Sequence, residues 1–268
     1  MHVSIGSLTL VAFFLTVMAF FSVFAPNFAT ADNMENLMSG FSFVAIVAIG
    51  QTFPILLRGI DLSVGATLAL AGMAAFDLSL VAGWPGYLVL PAALVVATLA
   101  GVVNGLLIVF LRLQPFIATL ATLAAYRGLV YSISGRQLVP GLSTTPITDP
   151  WIAGLETYYD LGSWLGLSSL VRLPWFPLSF FIMLAVLLLL WALLSATKFG
   201  RNVYTIGGNV EAARLAGISI ARTVVVSYGL CGLCAGLSAL LLVARLTTAT
   251  EALGVGTELT AIAAAVIG

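Results

Sequence analysis

A chain of 268 residues that is 61% hydrophobic and only 7% charged, with a mean hydropathy of +1.16, is not a soluble domain, in which roughly 25% of residues carry charge. Its ten basic and ten acidic residues cancel, which leaves no electrostatic footprint for nucleic acid. Apolar runs of about 20 residues recur along it, too long and too continuous for barrel strands, and predict an all-α, polytopic helical membrane protein.

Taken in chain order, apolar spans are predicted at Ser4–Phe24, Leu37–Leu57, Leu62–Val81, Tyr87–Leu111, Pro115–Ile133, Phe176–Ala196 and Val224–Ala244. An eighth starts near Leu259 and stops at Gly268, after roughly half a bilayer core. The expectation is about seven complete transmembrane helices plus a truncated eighth, in a single transmembrane domain over 1–268. The "FATADN" stretch after the first span resembles a signal-peptide cleavage site. No Lys or Arg precedes that span, however, and it exceeds the usual core of about 7–15 residues, so a retained helix is expected.

Within the spans a few polar residues stand out. Gln51 and Asn104, with Thr119 and Thr122 on one helical face, are uncharged hydrogen-bonding groups at membrane depth. Such residues either bond helix to helix or face a water-filled cavity, where a neutral solute could use them. Asp61 in "GIDLSVG" stands just ahead of the third span and reads as its N-cap, at the positive end of the helix dipole. Gly101 and Gly105 form G-x-x-x-G, read as close helix packing with Asn104 beside it. Asp77 and Arg127 also lie within spans, where pairing or snorkelling is expected rather than catalysis.

Charge is otherwise confined to loops. The 136–175 loop holds Arg136 and Arg172 against Asp149, Glu156 and Asp160, with Trp151, Trp164 and Trp175 suited to a membrane interface. The segment "TKFGRNVYTIGGNVEAARLAGISIART", Thr197–Thr223, collects Lys198, Arg201, Arg214 and Arg222 against the single acid Glu211. Positive charge marks cytoplasmic loops, so 197–223 is placed in the cytoplasm together with Arg58, Arg112 and the N-terminus, and 136–175 outside. Orientation alone needs only charge. "NVEAARLAGIS" is also a short helical phrase: Asn209 caps it, Glu211 suits its first turn, Gly217 ends it. A capped helix between two spans suggests that another protein docks there.

Cys231 and Cys234 form C-x-x-C inside the last full span and read as small packing residues. A zinc site needs about four ligands, and His2 is the only histidine. No metal site and no catalytic residue is assigned. Lys198 is the only lysine and no G-x-x-x-x-G-K-[ST] occurs, so the chain carries no P-loop.

"GRNVYTIGGNVEAARLAGIS", followed by "SYGLCGLCAGLSALLLVARLTTATEALGVGTELTAIAAAVIG", resembles the permease subunits of ribose-type ABC sugar importers. So do "GIDLSVGATLALAGM" and "NGLLIVFLRLQPFIATLATLAAYRGLVYSISG", and the likeness runs in order from about Phe41 onward. The resemblance implies a transport subunit of the bacterial inner (plasma) membrane and no enzyme. It implies a second permease copy or a related permease, a periplasmic sugar-binding protein, and an ABC ATPase subunit, with membrane lipid around them. No cofactor is expected on this chain, with ATP and Mg on the partner ATPase. The docking helix would be formed by Asn209, Glu211, Ala212, Arg214 and Gly217, and the translocation path would involve Gln51, Asp61, Asn104, Thr119 and Thr122. Members of that family usually continue with further helices beyond the Ile-Gly at which this chain stops, so a shortened form is expected. An ion-coupled secondary transporter is the alternative. It would need an ionisable group near mid-membrane and inverted repeats, and Asp77 is the only acid well inside a span.

Overall fold

The computed structural model describes residues 5–134, 146–160 and 175–267. Expectations that rest on Arg136, Trp164 and Arg172 lie outside the described residues. Two compact units are present, Met1–Gly40 with Tyr158–Pro177 and Phe41–Thr157 with Leu178–Gly268.

The smaller unit holds helix α1 (Ile5–Phe24) and the start of α2 (Ala31–Leu56). Between them the chain turns through Asn27 at φ 64, and the Thr30 hydroxyl accepts the Asn33 N–H at 3.3 Å to start α2. That polar start is why α2 begins well ahead of the apolar run expected from Leu37. Two short strands, β1 (Tyr158–Tyr159) and β2 (Phe176–Pro177), pair antiparallel in the register Tyr158 with Pro177 and Tyr159 with Phe176. The Trp175 N–H donates to the Glu35 carboxylate at 2.9 Å.

The larger unit takes up the rest of α2 and continues with α3 (Val64–Phe76), which runs on through a π-turn at Asp77–Val81. Next come α4 (Gly86–Phe110), α5 (Pro115–Ser134) and α6 (Pro150–Ala153), the last extended by a 3-10 turn at Gly154–Glu156. Then follow α7 (Leu178–Ala196), α8 (Lys198–Gly208), α9 (Val210–Leu215), α10 (Ile220–Leu246) and α11 (Thr257–Ile267). Among the described residues, six helices are long and apolar enough to cross a membrane: Ala31–Leu56, Val64–Val81, Gly86–Phe110, Pro115–Ser134, Leu178–Ala196 and Ile220–Leu246. These are six of the seven full spans expected. Two further apolar stretches, Thr9–Phe24 within α1 (Ile5–Phe24) and Thr257–Ile267, fall at the first and the eighth expected spans.

Hydropathy alone does not decide which of these helices is central. The apolar window of α7 is only 11% buried, whereas that of α10 is 72% buried. The difference is side-chain size. Helix α7 is dominated by Leu, which lipid solvates as well as protein does. Helix α10 carries Gly229, Gly232, Gly236 and Ala235, which allow a neighbouring backbone to come close. A Cβ added at Gly101 of α4 would run into the Tyr228 carbonyl, and one at Gly232 into the Ala97 carbonyl. At Gly105 it would lie 2.6 Å from the Val225 Cα. The expected G-x-x-x-G contact therefore exists, and its partner is α10.

Candidate functional site

Four short polar stretches meet where α2, α3, α4 and α5 approach one another. The turn 57–63 brings Asp61 into this point, buried at 1% exposure. Its Oδ1 accepts the Ser63 backbone N–H at 2.9 Å and the Ser63 hydroxyl at 2.7 Å. Asn104 of α4 donates through Nδ2 to both Asp61 oxygens, at 3.3 and 3.2 Å, and to Ser63 Oγ at 2.7 Å. The other end of that amide, Oδ1, accepts the Thr122 hydroxyl at 2.7 Å. Thr119, one turn earlier on α5, donates to the Ile60 carbonyl at 3.2 Å. Gln51 of α2 donates to the Asp61 carbonyl at 3.2 Å and accepts the Cys231 thiol at 3.2 Å.

All five residues expected along a path, Gln51, Asp61, Asn104, Thr119 and Thr122, are thus in one hydrogen-bonded knot, and all are buried. Their polar atoms face each other and the backbone. One expectation needs correction. Asp61 is not the N-cap of α3, which begins at Val64 after Ser63. Its carboxylate instead holds the N–H of Ser63 in a local turn and reaches across to Asn104, because an anion buried in this turn needs every available donor. Burial pushes the Asp61 carboxyl above its ordinary pKa, and the donors Ser63 and Asn104 pull it only part of the way back.

Ser63 and Cys231 belong to the knot but escape a sequence reading, which scans spans for isolated polar residues and passes over a serine in a turn or a cysteine in a run of small residues. Cys231 and Cys234 are free and buried, and a Cβ at Gly50 would lie 2.6 Å from the Cys234 Cβ, in line with their reading as packing residues. The Tyr228 hydroxyl, buried beside Gly59, has no hydrogen-bond partner among the described residues. Arg127 is hydrogen-bonded within the protein. Its Nη1 donates to the Glu251 and Leu253 carbonyls at 2.7 and 2.8 Å, tying α5 to the segment between α10 and α11.

The second candidate site is the basic segment 197–223, which is almost wholly helical. At its start Thr197 caps α8 by accepting the Gly200 N–H at 3.2 Å. Phe199, Val203 and Ile206 fall on one face of α8. Val203 and Ile206 are buried, and the Phe199 ring stacks on Phe53 of α2 at 6.2 Å. That i, i+4, i+7 spacing was the available signal for α8, which the reading of 209–217 alone missed. Asn209 caps α9 as expected, accepting the Glu211 and Ala212 N–H groups at 3.0 and 3.1 Å. Gly217, at φ 72, ends it, and Arg214 pairs with Glu211 at 3.1 Å on the exposed face. Arg58, itself at φ 61, donates to the Gly208 carbonyl at 2.7 Å. The basic segment is therefore bonded to the same 57–63 turn that carries Asp61.

Comparison with known proteins places the chain. A family model described as the branched-chain amino acid transport system / permease component matches residues 33–268. The ribose import permease protein of Escherichia coli (strain K12) is 38% identical over 260 residues, covering 95% of this chain and 74% of that protein. The ribose import permease protein of Haemophilus influenzae is 36% identical over 256 residues, with the same 95% and 74% coverage. The L-arabinose transport system permease protein of Escherichia coli (strain K12) is 35% identical over 251 residues, covering 92% and 69%. No solved structure matches the chain.

Proposed function

Given that the chain belongs to the permease family of ribose-type, binding-protein-dependent ABC importers, we propose that it carries a monosaccharide across the bacterial inner membrane. The observation that carries the sugar reading is the likeness, over nearly the whole chain, to import permeases named for ribose and L-arabinose. In this reading a periplasmic binding protein delivers the sugar, and a second permease copy or related chain completes the path. ATP and Mg are held by a separate ATPase.

The ATPase docks on α9, with the N-terminus and the 197–223 segment in the cytoplasm and the 136–175 loop outside. Support comes from the exposed, doubly capped form of α9, which presents Glu211 and Arg214 outward on a rigid stub. The Arg58 bond to Gly208 gives motion of that stub a direct mechanical route to the 57–63 turn. Gln51, Asp61, Asn104, Thr119 and Thr122 then serve the path by fixing how α2, α3, α4 and α5 sit beside it.

The test is a complete complex carrying Ala213→Pro, which breaks α9 at a cost of about 3 kcal/mol, or charge reversal at Glu211 and Arg214. Labelled-sugar uptake and sugar-stimulated ATP hydrolysis are expected to fall together while the permease still reaches the membrane. Normal coupled transport by the Pro variant refutes the docking role. Uptake that collapses with the ion gradient while ATP is maintained refutes the importer reading.

A further inference from the structure

We propose that the cleft between α7, α8 and α10 is a binding site for an acidic phospholipid, its phosphate on Lys198 and Arg222 and its acyl chains along Leu193, Val226 and Leu230.

The cleft has a volume of about 590 Å³. Its polar end is built by two helix starts: Lys198 lies in the first turn of α8 after the Thr197 cap, and Arg222 in the first turn of α10 after Ser219. Both N-terminal dipole ends favour an anion, and two full positive charges stand at the same mouth. Glu211 pairs with Arg214, and no ion pair among the described residues reaches Lys198 or Arg222. The charge in the cleft is therefore not neutralised by an ion pair among the described residues.

The rest of the cleft distinguishes a lipid from a soluble anion. Arg222, Val226 and Leu230 occupy successive turns of one face of α10, so eight residues carry the lining about 12 Å from cation to hydrocarbon. Leu193 on α7 lies just ahead of Lys198 in the chain, so that wall changes from apolar to cationic over the same boundary. A phosphate at one end with apolar depth below it matches a phospholipid in its normal orientation at the membrane surface. A free phosphate or a sugar would leave the apolar length unused.

The experiment uses the purified full chain in detergent and native mass spectrometry with phosphatidylglycerol or phosphatidylcholine of identical acyl chains. Wild type is expected to retain phosphatidylglycerol with about tenfold preference. Lys198→Gln with Arg222→Gln removes most of that preference, whereas Arg201→Gln with Arg214→Gln, which removes the same charge from the same segment, changes it less than about twofold. Val226→Trp fills the apolar end with both cations intact, and is expected to weaken phosphatidylglycerol retention without changing the binding of glycerol phosphate. All five positions are exposed, so the fold is not at risk. Equal retention of the two lipids overturns the proposal, as does an equal loss in the two double variants. Displacement of the lipid by glycerol phosphate at matched concentration also overturns it, by making this a site for soluble anions.

Discussion

Asn104→Ala removes the centre of the polar knot, and the cost can be worked bond by bond. Its amide serves both Asp61 oxygens, at 3.3 and 3.2 Å, and Ser63 Oγ at 2.7 Å, and accepts Thr122 Oγ1 at 2.7 Å. Some of this recovers. The Thr122 hydroxyl keeps the Thr119 carbonyl at 3.2 Å, and Ser63 Oγ goes on donating to Asp61. What does not recover is Asp61 Oδ2, for which Asn104 is the hydrogen-bond donor among the described residues. A buried charged acceptor left without its donor costs about 1.5–3 kcal/mol, and the vacated side-chain volume adds about 1 kcal/mol. The sum, about 2.5–4 kcal/mol, well exceeds the ~0.6 kcal/mol average for a single interhelical hydrogen bond in membranes, because one amide here serves three partners. At the middle of that range the folded-to-unfolded ratio falls about two-hundredfold. Reversible denaturant titration in mixed micelles reads this directly, and a double-mutant cycle with Asp61→Asn isolates the pair. A loss below about 0.5 kcal/mol, or strict additivity with Asp61→Asn, would refute the claim that the knot holds these helices together.

Three further outcomes are expected. Because the Asp61 carboxyl is raised by burial, the native state keeps a proton that the unfolded chain releases between the ordinary carboxylate value and the raised one. Stability should therefore fall as pH rises through that window, and Asp61→Asn should flatten the slope in micelle unfolding; an unchanged slope assigns it to another group. Gly232→Val should separate α4 from α10, since both the obstructing Ala97 carbonyl and the added side chain are held by helices, and cost more than about 2 kcal/mol. Gly128→Ala, a helical site with open space around it, should instead stabilise by roughly 0.5–1 kcal/mol, and equal effects from the two would discredit the packing account. Single cysteines at Ser219 and Thr157 should label from opposite faces of intact cells while the buried Cys231 and Cys234 stay silent. Labelling of Ser219→Cys by an impermeant reagent would reverse the proposed orientation.

Composition and periodicity alone were enough for the class of protein and for most helix positions, because hydrocarbon leaves a backbone no alternative to internal hydrogen bonding. Local chemistry was equally readable wherever cause and effect lie within a few residues. Asn209 caps α9 because its acceptor is two and three residues from the N–H groups it serves, and Gly217 ends it because φ 72 suits glycine. A side chain whose partner is distant in sequence carries no such local signal. Nothing near Asp61 announces Asn104, 43 residues away, and a nearby helix start made the N-cap the natural inference. Arg58 and Gly208 are 150 residues apart, and their bond joins a turn to the end of α8, two elements that look independent along the chain. The same limit applies to burial. Helices α7 and α10 are both apolar throughout, and a transfer scale cannot tell a face solvated by lipid from one solvated by protein. Only the packed arrangement separates them, by letting backbones approach where side chains are small and leaving Leu to the bilayer.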